Sequence, residues 1–377
     1  GGSQLDMPRW CPAALWLLLL PAAAAFAPLA AAPHALRGQT RLPPSVAPHQ
    51  ITRAIADGRR PSGLQGLAMG LLDDVRAANA ERMAVNEGKT LVGAKYGVKT
   101  MQAFPCDILK VDWKADKLSG MLEENGCLSL QHVLSQDTCD ALLAHINADS
   151  DRAKAAVLAG QLDFDLKFGG VNCRGKGVFG LRQDQWLPCE GIVAAAAREA
   201  MTNMAPLLER TVTTDGTMHE LSSLVADPGA PRQNMHVDTI VLPCPQFPEA
   251  SMEPLYTFFI ALQDVEDNMG HTTFIPRTHT PDAHLLWNRG QKQKDALVSS
   301  LPAVTSSLKA GDVAIFDSRV LHCGDTNASQ KRRVLFYITL SKQAEWPLPD
   351  GLHGSNSIVA ADKSRWKVRD VMVRESV

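Results

Sequence analysis

Two side chains of types that bind metal ions, His236 and Asp238, stand two residues apart in the chain. Residues i and i+2 of an extended strand point to the same side, so both could bind one ion while Val237 packs on the opposite face. A pair of this kind arises readily by chance, since the chain has 11 histidines and 40 acidic residues. The pair therefore indicates a metal site only if a third ligand joins it.

His322 is the candidate third ligand, because it follows a strand-like run at 313–320 that a double sheet could bring opposite the first pair. Two histidines and one carboxylate suit a mononuclear iron(II) site that keeps positions open for co-substrate and dioxygen. Arg333 stands eleven residues after His322, at the start of another predicted strand. Its guanidinium could bind the far carboxylate of an α-keto acid that chelates the same metal.

Short β-type runs separated by turn residues must position these side chains. A strand at 126–130 comes first, followed by a helix that Ser135 caps and by an alanine-rich helix at 192–210 that we expect to kink or end near Pro206. Helices followed by many strands predict an α+β chain built around an all-β barrel or double sheet. The later predicted strands span residues 219–225, 235–242, 255–262, 272–275, 312–316 and 334–340.

The composition is that of a globular protein of 377 residues, with 45% hydrophobic and 21% charged residues and a formal net charge of −2. Without a basic field, nucleic acid is not predicted as a partner, and a small-molecule substrate fits better. The eight cysteines are scattered without a CxxC pair, which excludes a four-cysteine zinc site. A glycine-rich stretch at 169–177 lacks the GxxxxGK[ST] order and is predicted to be a loop.

Residues 1–62 are predicted to be a targeting presequence. A charged start at Met7 and Arg9 precedes the apolar run at 13–20, which is typical of a secretory signal. Counted onward through Ala32, the stretch holds three prolines and is mostly alanine after Leu20, which disfavours a permanent membrane helix, so we expect no stable membrane span in the mature protein. The following segment, 33–61, is basic and poor in acids, as transit peptides are.

The junction AFAP at 25–28 resembles the cleavage signature of bipartite presequences in algae whose plastids have several membranes. That resemblance implies a plastid location. The alternatives are a plain signal peptide leading to the lumen of the secretory pathway, or a type II anchor. After the presequence we predict a helical N-terminal extension at 63–115, with one packing helix at 64–83, and a C-terminal tail at 346–377.

Five segments of the chain together form a recognisable pattern: QNMHVD at 233–238, TFFIALQD at 257–264, NMG at 268–270, FIPRTH at 274–279 and HCGDTN at 322–327. Through them, residues 116–345 resemble the phytanoyl-CoA dioxygenase-like family of the Fe(II)/2-oxoglutarate-dependent dioxygenases. The resemblance implies a double-stranded β-helix, of jelly-roll or cupin-like form, flanked by N-terminal helices. It also implies that His236, Asp238 and His322 are the catalytic iron ligands, and its spacing selects Arg333 rather than Arg332 to bind the C5 carboxylate of 2-oxoglutarate.

The activity that this resemblance implies consumes O2 and 2-oxoglutarate at Fe(2+) and releases succinate and CO2. A small organic substrate, such as a lipid, terpenoid or pigment side chain, is hydroxylated or desaturated. Asp238 disfavours a halogenase, in which a small residue leaves room for chloride. Two alternatives stay open, a catalytically degenerate β-helix that only binds ligands and a zinc hydrolase with the same three ligands, although Arg333 and the lack of an HExxH motif argue against the second.

One departure from the family pattern falls in the turn at 276–279, where Arg277 replaces the usual glycine. We expect this change to affect substrate contacts more than iron binding. His279 in the same turn is interpreted as a turn residue. His271 and His284 are interpreted as structural.

Overall fold

A computed structural model describes residues 99–105, 112–169, 171, 175, 177–245, 247–343 and 366–373. The predicted presequence at 1–62 and the predicted helix at 64–83 lie outside the described residues. All described residues belong to one compact unit within 63–377.

A seven-stranded sheet forms the larger half of the core, and all its neighbouring strands are antiparallel except the first pair, Ala103–Pro105 and Cys127–Gln131. In spatial order its strands are β2 (Ala103–Pro105), β3 (Cys127–Gln131), β9 (Val313–Asp317), β6 (Leu255–Ala261), β11 (Arg333–Ser341), β5 (Thr217–Ala226) and β4 (Arg182–Trp186).

A smaller sheet packs face to face against the larger one. Phe274 of the smaller sheet meets Phe316 of the larger one, with 5.1 Å between their ring centroids, inside an apolar cluster that both sheets share. The two sheets form the double-stranded β-helix that was predicted. In spatial order the smaller sheet consists of β1 (Lys99–Thr100), β8 (Val304–Thr305), β7 (Thr272–Ile275) and β10 (Leu321–Gly324).

Strand β11 is apolar on both faces because each face is buried against a different layer. Leu335 and Tyr337 point into the cluster between the sheets. Val334 and Phe336 point the other way, into a second cluster that the helices cover. The alternation of side chains along the strand thus places Arg333 on the inner side and Arg332 on the outer side.

Helices cover the outer face of the larger sheet. The helix Gln136–Leu158 begins where predicted, after Ser135, whose side chain accepts a hydrogen bond from the Thr138 N–H. The alanine-rich helix ends at Asn203, and a new helix starts at Ala205 just before Pro206. The helices are α1 (Asp112–Asn125), α2 (Gln136–Leu158), α3 (Gly191–Asn203), α4 (Ala205–Thr211), α5 (Pro281–Trp287), α6 (Gln291–Ser300) and α7 (Val368–Val373). In the described part of the chain, none of them is long and apolar enough to cross a membrane.

Two predicted strands differ from the structure near the ligands. The segment 235–242 is not a strand: His236 alone forms a bridge with a neighbouring strand, and the N–H groups of Asp238 and Thr239 both donate to Ser318 O. The run 313–320 is divided, because the chain leaves the larger sheet after Asp317 and enters the smaller one at β10, which itself carries His322.

The predicted helical extension and tail also differ where they are described. Within 63–115, residues 99–105 form β1 and β2, which pair in parallel with β8 and β3, and such short strands have too few residues for a period to be recognised. Within 346–377, α7 packs into the core under the helices through Val368 and Val371.

Candidate metal and co-substrate site

His236 and His322 lie directly opposite one another at the edge of the smaller sheet. The N–H of His236 donates to His322 O at 3.0 Å, and the N–H of His322 donates to His236 O at 2.9 Å. This reciprocal pairing brings the two imidazoles side by side, with 4.4 Å between the ring centroids. The backbone therefore places two candidate ligands on one side of the sheet.

The two rings are turned so that the same nitrogen of each is free for a metal. His236 Nδ1 lies 2.8 Å from Asn234 O, and His322 Nδ1 lies 2.9 Å from Val320 O. A carbonyl oxygen can only accept, so each Nδ1 donates a proton to it and each Nε2 keeps its lone pair. This is the orientation that backbone contacts impose on metal-binding histidines.

Asp238 completes the group. Its two carboxylate oxygens each lie 3.6 Å from an Nε2, one from that of His236 and the other from that of His322. The three candidate ligand atoms lie within 4.8 Å of one another, and they are the one group of three or more metal-binding side chains found among the described residues. Two imidazole nitrogens and a carboxylate on one side suit iron(II).

Burial keeps His322 in the form that binds a cation. Desolvation lowers the pKa of His322 to about 4, the charge of Asp238 opposes this shift and the nearby His236 adds to it. The ring packs against Phe316, with 4.8 Å between centroids, and Phe274, with 6.0 Å. At neutral pH the imidazole is therefore uncharged, as a metal ligand must be.

Arg333 is buried, and two of its three guanidinium nitrogens lack a hydrogen-bond partner. It is 1% exposed, and its Nη1 donates to Gly270 O. Its Nε and Nη2 are buried without a hydrogen-bond partner. Burial is the main cause that lowers the pKa of Arg333 to about 9, and the charge of Arg182 lowers it further. A carboxylate bound to Nε and Nη2 would satisfy both donors and offset the buried charge.

The neighbouring Arg332 faces away from this region. Its Nε donates to Asp227 Oδ1 at 2.6 Å, and its Nη1 donates to Asn147 Oδ1 at 3.1 Å and Asp151 Oδ1 at 3.4 Å. Arg332 thus ties β11 to helix α2 on the outer side of the sheet. Arg333 is the one of the two that points toward the interior.

Sequence reasoning missed Arg182, which is fully buried at the start of β4. Its Nη2 donates to Pro231 O at 3.1 Å and Asp325 O at 3.0 Å, which fixes the segments next to the ligands. A Cβ on Gly324 would lie 2.8 Å from Arg182 Nη1, so any larger residue there would have to displace the end of this side chain. The polar sequence RQDQW has no apolar alternation, and it therefore gave no strand signal.

The turn with the family departure contacts helix α1. Arg277 adopts a φ of 67°, a conformation that favours glycine, and its side chain pairs with Glu124. The N–H of Arg277 donates to Asn125 O at 2.8 Å, and His279 Nε2 donates to Glu123 O at 2.9 Å. Among the described contacts, both side chains therefore join the turn to the end of α1.

Comparison with known proteins identifies the family of this fold and site. A family model for phytanoyl-CoA dioxygenase (PhyH) matches residues 122–335, more than half of the chain, and the protein belongs to this family. Membership implies a non-haem enzyme that uses Fe(2+) and 2-oxoglutarate, and the His-Asp-His group is present.

Solved structures with a related fold include two enzymes of nogalamycin biosynthesis. One is the non-heme alpha ketoglutarate dependent epimerase SnoN, with 17% identity, a TM-score of 0.45, and coverage of 64% of this chain and 85% of that chain. The other is the non-heme alpha ketoglutarate dependent carbocyclase SnoK, with 18% identity, a TM-score of 0.41, and coverage of 59% and 82%. A search of curated proteins gave no match.

Proposed function

We propose that the protein is an Fe(II)- and 2-oxoglutarate-dependent dioxygenase that hydroxylates or desaturates a small organic substrate. The observation that carries the proposal is the buried guanidinium of Arg333, which has two nitrogens without a partner in a protein of this family that also presents a His-Asp-His group. A zinc hydrolase needs the three ligands but has no use for such an anion site.

The protein side chains have separate tasks in this proposal. His236, Asp238 and His322 hold iron(II), and Arg333 binds the C5 carboxylate of 2-oxoglutarate. When bound, the metal and co-substrate supply the oxidising chemistry, with O2 consumed and succinate and CO2 released. Phe274 and Phe316 shield the buried His322 from water.

An anaerobic titration tests the proposal. Adding Fe(II) and then 2-oxoglutarate to the protein should produce the visible charge-transfer band of a chelated α-keto acid, and His236→Ala should abolish it. His145→Ala is the matched control, because His145 lies on α2 and outside the metal-binding group. A folded protein that gives no band, or a band unchanged in His236→Ala, contradicts the assignment. A band without conversion of 2-oxoglutarate to succinate, whichever substrate is added, favours the ligand-binding module instead.

The substrate and location are further proposals. A lipid, terpenoid or pigment side chain fits the family and the AFAP junction at 25–28. Succinate release measured over fractions of a plastid metabolite extract tests the substrate class. A fluorescent protein fused after residue 62 tests the plastid address, and accumulation in the secretory pathway would contradict it.

A further inference from the structure

The three candidate ligands are not held in the same way. His236 and His322 fix each other through their reciprocal backbone hydrogen bonds. Asp238 lies beyond this pair on a segment outside any strand, and 36% of its side chain is exposed. Its position relative to the histidines depends on the contacts of the residues that follow it.

The first of these contacts is with the end of the larger sheet. Ser318 O accepts the N–H of Asp238 at 2.8 Å and that of Thr239 at 3.1 Å. The hydroxyl oxygens of Thr239 and Ser318 lie 2.5 Å apart. Because two successive N–H groups donate to the same carbonyl, the β-type pairing that starts at His236 stops here. The backbone after Thr239 therefore needs other hydrogen-bond partners to fix its path.

His284 of helix α5 supplies that partner. Its Nδ1 accepts the N–H of Val241 at 3.3 Å, and its Nε2 donates to Arg319 O at 2.8 Å. Val241 stands three residues after Asp238, and Arg319 stands three residues before His322. The buried imidazole therefore bridges the two segments that carry all three ligands.

The two contacts require one form of the ring. A backbone N–H can only donate and a carbonyl can only accept, so the proton must be on Nε2 and not on Nδ1. Burial lowers the pKa of His284 from its usual value, which agrees with a neutral ring. A side chain without this acceptor and donor would leave the N–H of the buried Val241 and Arg319 O without this partner.

We propose that His284 is a positioning residue that sets the place of Asp238 relative to His236 and His322. The proposal rests on the proposed function, since it assigns His284 a task at that same metal site. Side chains that hydrogen-bond metal ligands directly typically change metal affinity about 10- to 100-fold when they are removed, and we expect the same range for a residue that fixes the backbone on both sides of the ligands.

Two substitutions at position 284 separate hydrogen bonding from packing. His284→Phe keeps a ring but loses both hydrogen bonds, whereas His284→Gln offers one acceptor and one donor. Trp287→Ala is the control: Trp287 lies on the same helix and packs against the cluster around Ile275 and Leu321. It should lower the melting temperature without changing the metal site.

The readouts are anaerobic Fe(II) affinity, the position of the charge-transfer band and the melting temperature, all on the full chain. His284→Phe should weaken Fe(II) binding about 10- to 100-fold and shift the band. His284→Gln should recover most of the affinity, and Trp287→Ala should retain both affinity and band.

An unchanged affinity and band in His284→Phe overturns the inference and leaves the proposed function intact. A Gln variant as impaired as the Phe variant also overturns it. Absence of the band in the unmodified protein contradicts the proposed function instead, and the Fe(II) affinities of the variants then still decide the role of His284.

Discussion

His236 and His322 each donate a backbone N–H to the other's carbonyl, yet the two side chains differ in burial. The side chain of His236 is 23% exposed, whereas that of His322 is 5% exposed. The ring of His322 also packs against two phenylalanines of the inner cluster. The two histidines should therefore respond differently to substitution.

We predict that His236→Ala abolishes Fe(II) binding and leaves the stability of the metal-free protein nearly unchanged. His322→Ala should abolish binding too, and it should also reduce the free energy of unfolding by on the order of 2 kcal/mol because it leaves a cavity. Denaturant unfolding in the presence of a chelator measures both effects. Equal stability of the two variants would contradict the packing role of His322.

Neighbouring arginines on opposite sides of β11 give a second prediction. Arg333→Met should raise the Kd for 2-oxoglutarate about 10- to 100-fold with Fe(II) binding retained, because a charge-assisted contact is lost. Arg332→Met should retain 2-oxoglutarate affinity and lose some stability, since its ion pair with Asp227 is removed. Titration of the charge-transfer band compares the two variants. Similar losses of affinity would refute the assignment to Arg333.

The sequence predicted the strands that are nearly continuous apolar runs, buried on both faces and bounded by turn residues. Residues 255–262 and 334–340 correspond to β6 and β11, and the break near Pro206 was confirmed. Both strands lie in the core, where apolar residues are buried, so their apolar sequences indicate their position directly. The fold class could therefore be predicted without contacts.

Elements that depend on distant polar partners could not be predicted in the same way. In β4, Gln183 accepts a hydrogen bond from Lys154 and Gln185 donates to Asp149, so polar side chains are buried on the helix-facing side of the strand. The segment after His236 has strand-like alternation, but its N–H groups turn to Ser318 O. In both places a tertiary hydrogen bond outweighs the local pattern.

Gly270 links backbone conformation to the anion site, which gives a third prediction. Its φ is 79°, a Cβ there would lie 2.5 Å from Asp325 O, and its own carbonyl accepts from Arg333. Gly270→Ala should cost about 2 kcal/mol or more of stability through strain and collision, and it should weaken 2-oxoglutarate binding by displacing Arg333. Thermal melts and the band titration measure the two effects.

Gly120→Ala is the matched control for this substitution. Gly120 lies within α1, and a Cβ there would have no atom within 4 Å. Alanine in an exposed helix position should raise stability by up to about 1 kcal/mol and leave co-substrate affinity unchanged. If Gly270→Ala behaved like this control, the close packing at Gly270 would not support Arg333.

The pH dependence of stability gives a fourth prediction, centred on His219. This buried residue donates from Nε2 to Gln343 O at 3.1 Å, and burial first, then the charge of Lys367, lowers its pKa to about 4. The unfolded chain has a histidine pKa of about 6.5, so it binds more protons than the folded protein between these values. The metal-free protein should therefore lose stability as pH falls from about 6.5 toward 4, and His322 should contribute in the same direction.

His219→Gln separates this contribution from general acid unfolding, because glutamine can still donate to Gln343 O but does not titrate. Between pH 6.5 and 4.5 the free energy of unfolding of this variant should fall less steeply than that of the unmodified protein. The stability loss avoided is up to about 1.4 kcal/mol for each unit by which the pKa of His219 differs between the folded and unfolded chain. Chelator-treated samples unfolded by denaturant across this range give the comparison, and parallel curves for the two proteins would show that His219 does not govern the acid loss of stability.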